Sequence, residues 1–126
     1  MTDTLRIGTV PFLVGRPLVH GLDREDAVEL TTAPPSRLAA LLREGALDMA
    51  LVSSIEAFRR PGYQVLTDPC VAADGPVDSV LLMARRPLGS VKTLALDPAS
   101  LTGATLARVV LEHAGARLTD VLDAAI

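Results

Sequence analysis

With 126 residues, 49% of them hydrophobic and 21% charged, the chain is long enough for one domain with a buried core, and its composition excludes intrinsic disorder. Aromatic residues make up 2%, the net charge is −3, and the eleven Arg and one Lys are scattered, so base-stacking platforms and a phosphate-binding face are excluded and nucleic acid is not an expected partner. Cys70 is the single cysteine, and His20 and His113 are too few to replace a cysteine-based site, so neither an intrachain disulfide nor a structural metal is expected.

Leu5 to Val10 is a short, mostly apolar run stopped by Pro11, which predicts a first strand. Pro17 suits a first helical turn and Gly21 a helix end, so Arg16 to Leu22 is predicted as a short helix. A second strand, Val28 to Thr32, follows the charged link Asp23 to Asp26. Ser36 is placed to cap a helix in which Leu38, Leu41 and Leu42 share one face, with Arg37, Arg43 and Glu44 towards water and Gly45 closing it. Asp48 to Val52 then reads as a strand covered on both faces, and Ser53-Ser54-Ile55-Glu56 as a helix start. Strand, helix, strand, helix, strand is the rhythm of a parallel α/β sheet.

Beyond Pro61-Gly62, extended stretches are predicted at Tyr63 to Thr67 and Cys70 to Ala73, a turn at Asp74-Gly75-Pro76, and a strongly apolar strand at Ser79 to Ala84. Arg85 to Ser90 is the expected hinge, which divides the chain into a first lobe, 1–87, and a partial second lobe, 88–126. In the second lobe Val91 to Leu96 reads as a strand. Ser100 to Ala114 reads as a helix with Leu106, Val109, Val110 and His113 on one face, ended by Gly115. Arg117 to Ile126 looks like the start of another element. No apolar run reaches membrane-spanning length, and Met1 to Phe12 lack a basic stretch followed by an apolar signal core, so the expected location is cytoplasmic, with no membrane partner.

Polar residues gather where strands end or helices begin: Ser53 and Ser54, Ser79, and Asp97 with Ser100 and Thr102. In open α/β sheets ligands bind at the carboxyl ends of strands, where free backbone N–H groups favour anions, so a small carboxylate is the expected ligand. The alternative is that these hydroxyls only cap helices. Ser79 has no Gly-x-Ser-x-Gly context, and Gly8 and Gly15 form no phosphate-cradling loop, so serine hydrolase and nucleotide-binding functions find no support. His20 and His113 are expected to be packed or solvated rather than general bases. Arg85-Arg86 would suit a carboxylate clamp, but beside a hinge the expectation is a solvated turn.

The segments Ile7-Gly8-Thr9-Val10-Pro11-Phe12-Leu13, Arg16 to Leu22, Pro35-Ser36-Arg37-Leu38, Gly45 to Glu56, Asp74 to Leu82 and Ala95 to Thr102 together resemble the bacterial chorismate dehydratase family of the futalosine route to menaquinone. That resemblance implies an α/β fold of the periplasmic-binding-protein type II kind, with one nearly complete lobe plus the start of a second. It further implies removal of water from chorismate in an interlobe cleft, giving an enolpyruvyl-oxybenzoate without a cofactor. On the family pattern Ser79 matches the catalytic position, Ser54, Ser100 and Thr102 match substrate-binding positions, and Arg16 shapes the same loop. Two departures bear on this expectation. Val14 stands where the family has Asn, and a valine neither donates nor accepts a hydrogen bond. The family also runs to about twice this length, so sheet edges left uncovered would favour a homo-oligomer. The competing expectation is a non-catalytic solute-binding-type protein, or an inactive fragment, that binds a small carboxylate.

Overall fold

The computed structural model describes residues 4–123, which form two compact units divided between Ala72 and Ala73. In the first unit, strand β1 (Leu5–Thr9) lies between β2 (Val28–Thr32) and β3 (Met49–Ala50), both parallel to it, with Leu5 opposite Val28, Thr9 opposite Thr32 and Ile7 opposite Met49. The chain between β1 and β2 forms a 3-10 turn at Leu13–Gly15, the one-turn helix α1 (Arg16–Val19) and a second 3-10 turn at Leu22–Arg24. The helix expected over Arg16 to Leu22 is thus cut short, because Gly21 takes a left-handed conformation at φ +86° that a helix cannot continue through.

Helix α2 (Pro35–Arg43) connects β2 to β3 and packs on the centre of the sheet through Leu38 and Ala39, which are fully buried. Its start differs from expectation. Pro34 is the N-cap and Ser36 lies inside the first turn, because Pro35, with its fixed φ and missing N–H, already suits the first helical position. Its end is as read: with Gly45 at φ +71°, Gly45 N–H bonds the Leu42 carbonyl (3.2 Å) and Ala46 N–H that of Leu41 (2.9 Å), the paired closure that satisfies the last helical carbonyls. Gly8 of β1 is what lets α2 come so close. A Cβ there would lie 2.6 Å from Leu47 Cδ1 and 2.7 Å from Leu38 Cδ2.

The strand expected over Asp48 to Val52 shortens to Met49–Ala50, and a fork of side-chain bonds lengthens its hold on β1. Asp48 accepts from the Arg6 backbone N–H (2.9 Å), from Arg6 Nε (3.0 Å) and from Arg6 Nη2 (2.6 Å), while Asp48 N–H bonds the Arg6 carbonyl (2.9 Å). Bonds from Arg6 draw the Asp48 carboxyl down to about 2, and the same partnership raises the Arg6 guanidinium. Helix α3 (Ser54–Arg59) follows, and its Glu56 is buried.

In the second unit, β4 (Thr93–Leu96), α4 (Leu101–His113) and β5 (Asp120–Asp123) make one strand-helix-strand unit, with the two strands paired in parallel from Thr93 opposite Asp120 to Leu96 opposite Asp123. Residues 124–126, the end of the element expected from Arg117 onward, lie outside the described residues. Leu94 and Leu96 alternate inward and meet Leu111, with Leu88, Val91, Ala104, Ala107, Ala116 and Leu118 around them. The apolar face shared by Leu106, Val109 and Val110 is not the one that packs on the strands, and these residues are exposed at 51%, 56% and 43%. The helix is apolar on two stripes, so spacing alone does not choose between them. Small Ala104 and Ala107 allow a close approach to β4, and Leu111 fills the remaining space. Gly115, at φ +78°, closes α4 in the same paired manner as Gly45 closes α2.

The apolar strand expected at Ser79 to Ala84 does not form. Val80, Leu81 and Met83 are 53%, 70% and 87% exposed in a segment without regular structure. A strand exists only where a neighbouring backbone completes its ladder, and among the described residues β1 pairs with β2 and β3, and β4 with β5. The stretches expected at Tyr63 to Thr67 and Cys70 to Ala73 likewise pair with nothing, and Cys70 is exposed.

Candidate functional site

The carboxyl ends of β1 and β3 adjoin in the first unit. A Cβ on buried Gly15 would lie 2.7 Å from Val10 Cγ2, 3.4 Å from Leu51 Cδ2 and 3.5 Å from Thr9 Oγ1, so the turn after β1 rests on the segment leaving β3. Two of the expected residues start the helices that leave this edge. Arg16 is the first residue of α1 and Ser54 the first of α3, and both side chains are exposed. Capping is done by the neighbour of Ser54: Ser53 Oγ accepts from Ile55 N–H at 3.3 Å. The Ser54 hydroxyl is thereby left out of the cap and faces outward, whereas Phe12, Leu13 and Val14 form an exposed apolar tip on the turn after β1.

Thr9, at the end of β1, was not among the expected residues, yet it is 4% exposed and its Oγ1 has no hydrogen-bond partner among the described residues. Nothing local in the sequence of β1, Leu5-Arg6-Ile7-Gly8-Thr9, marks this hydroxyl, because its burial is a property of the folded chain.

Among the described residues Glu56 is the other buried polar residue, at 4% exposed, and the sequence marked it only as part of a helix start. Its Oε1 lies 3.5 Å from Arg43 Nε and 3.6 Å from Arg60 Nε and accepts a long bond from the Tyr63 hydroxyl at 3.4 Å. Arg43 Nε also bonds the Ala39 carbonyl at 2.9 Å, so this arginine, expected towards water, ties the end of α2 to α3. Two cations around one buried carboxylate offset its cost of burial. A hollow of about 280 Å³ lies beside them, lined by Leu42, Arg43, Arg60, Pro61, Gly62 and Tyr63, and no expected site residue borders it.

In the second unit Ser100 and Thr102 share the first turn of α4. Ser100 Oγ caps that turn, accepting from Gly103 N–H at 3.2 Å, and a Cβ on residue 103 would crowd the same oxygen at 2.7 Å. Asp97 Oδ1 accepts from Ala99 N–H at 2.8 Å and fixes the chain entering the cap. The Ser100 hydroxyl is therefore engaged in holding α4. Ser79 is exposed on the irregular segment that precedes these elements.

Among the described residues no group of three or more His, Cys, Asp or Glu side chains is placed to hold a metal, and no helix is long and apolar enough to cross a membrane. In the first unit the geometry offers the Arg16 guanidinium and the Ser54 hydroxyl at helix starts, and in the second the hydroxyls of the α4 start; each is chemically able to hydrogen-bond an anion.

No curated protein matches the chain significantly. A family model described as menaquinone biosynthesis matches residues 5–123, from the first residue of β1 to the last of β5. By that match, which spans nearly the whole sequence, the chain belongs to the menaquinone biosynthesis family.

Proposed function

We propose that the chain acts on chorismate as a dehydratase of menaquinone biosynthesis, and the observation that carries this reading is the family match over residues 5–123. The parallel order β2-β1-β3, with Arg16 and Ser54 at the carboxyl edge, supports the finer expectation of a periplasmic-binding-protein type II lobe. In the reaction a ring proton and the neighbouring hydroxyl leave chorismate as water, and the ring becomes aromatic. The product's aromaticity supplies the driving force, so the protein's work is to orient two carboxylates and to stabilise charge as it develops. Arg16 and Ser54 are proposed to bind carboxylate oxygens, Ser100 and Thr102 to contribute from the first turn of α4, and Ser79 to take part in the proton movements.

The test is incubation of concentrated protein with chorismate, with the aromatic product followed by absorbance after chromatography. Ser79→Ala is expected to lower turnover about a hundredfold, the scale for removing one transition-state hydrogen bond. No product from the unaltered chain would sink the enzymatic reading.

A second reading, a solute-binding-type protein that holds a small carboxylate without turnover, is favoured by Val14, which is 54% exposed on the turn after β1 and carries no hydrogen-bonding group. Calorimetric titration with chorismate separates the two readings, since heat of binding without product supports the second.

A further inference from the structure

Thr9 is the residue whose chemistry the fold leaves unexplained. Its backbone carbonyl is satisfied, accepting from Ala33 N–H at 3.0 Å. Its side chain is 4% exposed, and among the described residues Oγ1 has no partner. An unpaired buried hydroxyl is destabilising, and native interiors rarely keep one without a reason. Local structure supplies none, because valine or isoleucine would serve this strand position at least as well.

The cover over this hydroxyl is thin. Alternation along β1 sends Gly8 towards α2 and Thr9 to the opposite face, where buried Gly15 overlies it at 3.5 Å from the Cβ position to Oγ1. A glycine presents no side chain there, so a small shift of the turn uncovers the oxygen. Within the turn Gly15 N–H bonds the Phe12 carbonyl at 3.1 Å, and Phe12, Leu13 and Val14 point half or more of their surface into water. The other atoms nearest the Gly15 Cβ position, Val10 Cγ2 and Leu51 Cδ2, are apolar. One hydroxyl donor under a glycine with apolar neighbours suits one oxygen of a carboxylate carried on an apolar frame.

We propose that the Thr9 hydroxyl is a ligand-anchoring group at the carboxyl edge of β1, donating its hydrogen bond to a small carboxylate when Gly15 and its turn move aside. The inference rests on the carboxylate-binding reading above and adds a residue and a moving cover to it. In the ligand-free chain the hydroxyl costs stability, and the bound carboxylate removes that cost.

The test pairs Thr9→Val with Thr9→Ser, each measured for thermal stability and titrated calorimetrically with chorismate and with 3-hydroxybenzoate. Thr9→Val is expected to melt about 3 °C higher, because it deletes an unsatisfied group, and to bind about tenfold more weakly, because it deletes a donor to a charged acceptor. Thr9→Ser keeps the donor and is expected to bind within about twofold of the unaltered chain. Thr9→Val binding as tightly as the unaltered chain, or melting lower, would overturn the role of Thr9 and leave the carboxylate site standing. Absence of binding of either probe by the unaltered chain would overturn the site itself, and Thr9's role with it.

Discussion

Gly8 lies against Leu38 and Leu47, and adding one methyl group there tests how tightly α2 is seated on β1. In Gly8→Ala the new Cβ meets Leu47 Cδ1 at 2.6 Å, Leu38 Cδ2 at 2.7 Å and Ala50 Cβ at 3.2 Å, all but the last inside any tolerated separation. Both leucine methyls are ends of rotatable side chains, but Leu38 is 0% and Leu47 5% exposed, so neither has open space to turn into. Overpacking of this kind costs about 1–3 kcal/mol. Alanine recovers roughly 0.5–1 kcal/mol from the smaller entropy of the unfolded chain, so a net loss of about 1–2 kcal/mol is expected. Leu38→Ala alone is expected to cost about 2–5 kcal/mol through lost burial and the cavity it leaves. The double variant then decides the matter, because the alanine methyl at position 8 enters space that the shortened residue 38 has vacated. The combined loss should fall short of the sum of the single losses by about 1 kcal/mol or more, the size of coupling expected between side chains in contact. Urea unfolding reports this through Tyr63, the single tyrosine in a chain without tryptophan, which lies in the same unit as Gly8. Additive losses, or a Gly8→Ala variant as stable as the unaltered chain, would refute the claimed contact between α2 and β1.

Two further perturbations probe what else holds the elements in place. The Asp48 carboxyl is depressed from an ordinary value of 3.8 to about 2, so its bonding to Arg6 stabilises the fold fully above pH ~4 and is lost as pH falls towards 2. The difference in urea midpoint between the unaltered chain and Asp48→Asn should therefore narrow steadily across that interval, and a difference that stays constant with pH would contradict it. Ser100→Ala removes the hydroxyl that accepts from Gly103 N–H and should destabilise the second unit by about 1 kcal/mol, read as faster amide hydrogen exchange along α4. Unchanged exchange would show that the cap contributes nothing and free the hydroxyl for ligand alone.

How far the sequence could be read depended on whether the information was local. β2 appears at Val28–Thr32 as its residues predict, and Gly45 and Gly115 end their helices as read, because a left-handed closing residue is a property of a few adjacent positions. Ser53 and Ser100 were legible as helix caps for the same reason. Ser36 was not, since Pro34-Pro35 offers an equally good start and the competition between them is settled by the turn leaving β2. The inner face of α4 was unreadable from periodicity because Leu106, Val109 and Val110 form a stripe as apolar as Ala104, Ala107 and Leu111. Ser79 to Ala84 carries strand composition without a strand, since composition does not supply a pairing neighbour. Ser54 was legible at a helix start because its signal is local, whereas its shared sheet edge with Arg16 follows from the strand order β2-β1-β3, which only the folded chain shows. Thr9 and Glu56 could not be singled out, because burial and unmet or shared bonding are tertiary facts.

The fork between Arg6 and Asp48 has a consequence for how the first sheet assembles. β3 offers only two paired residues, Met49 and Ala50, too brief a ladder to hold its own alignment. A slide of one residue along β1 would carry the carboxylate at position 48 to the opposite side of the strand, away from the guanidinium and the amide it now bridges. The ion pair thus acts as a peg: it adds little strength at a wet surface, but it rejects every misaligned docking of the third strand and so sets where the edge bearing Ser54 comes to rest.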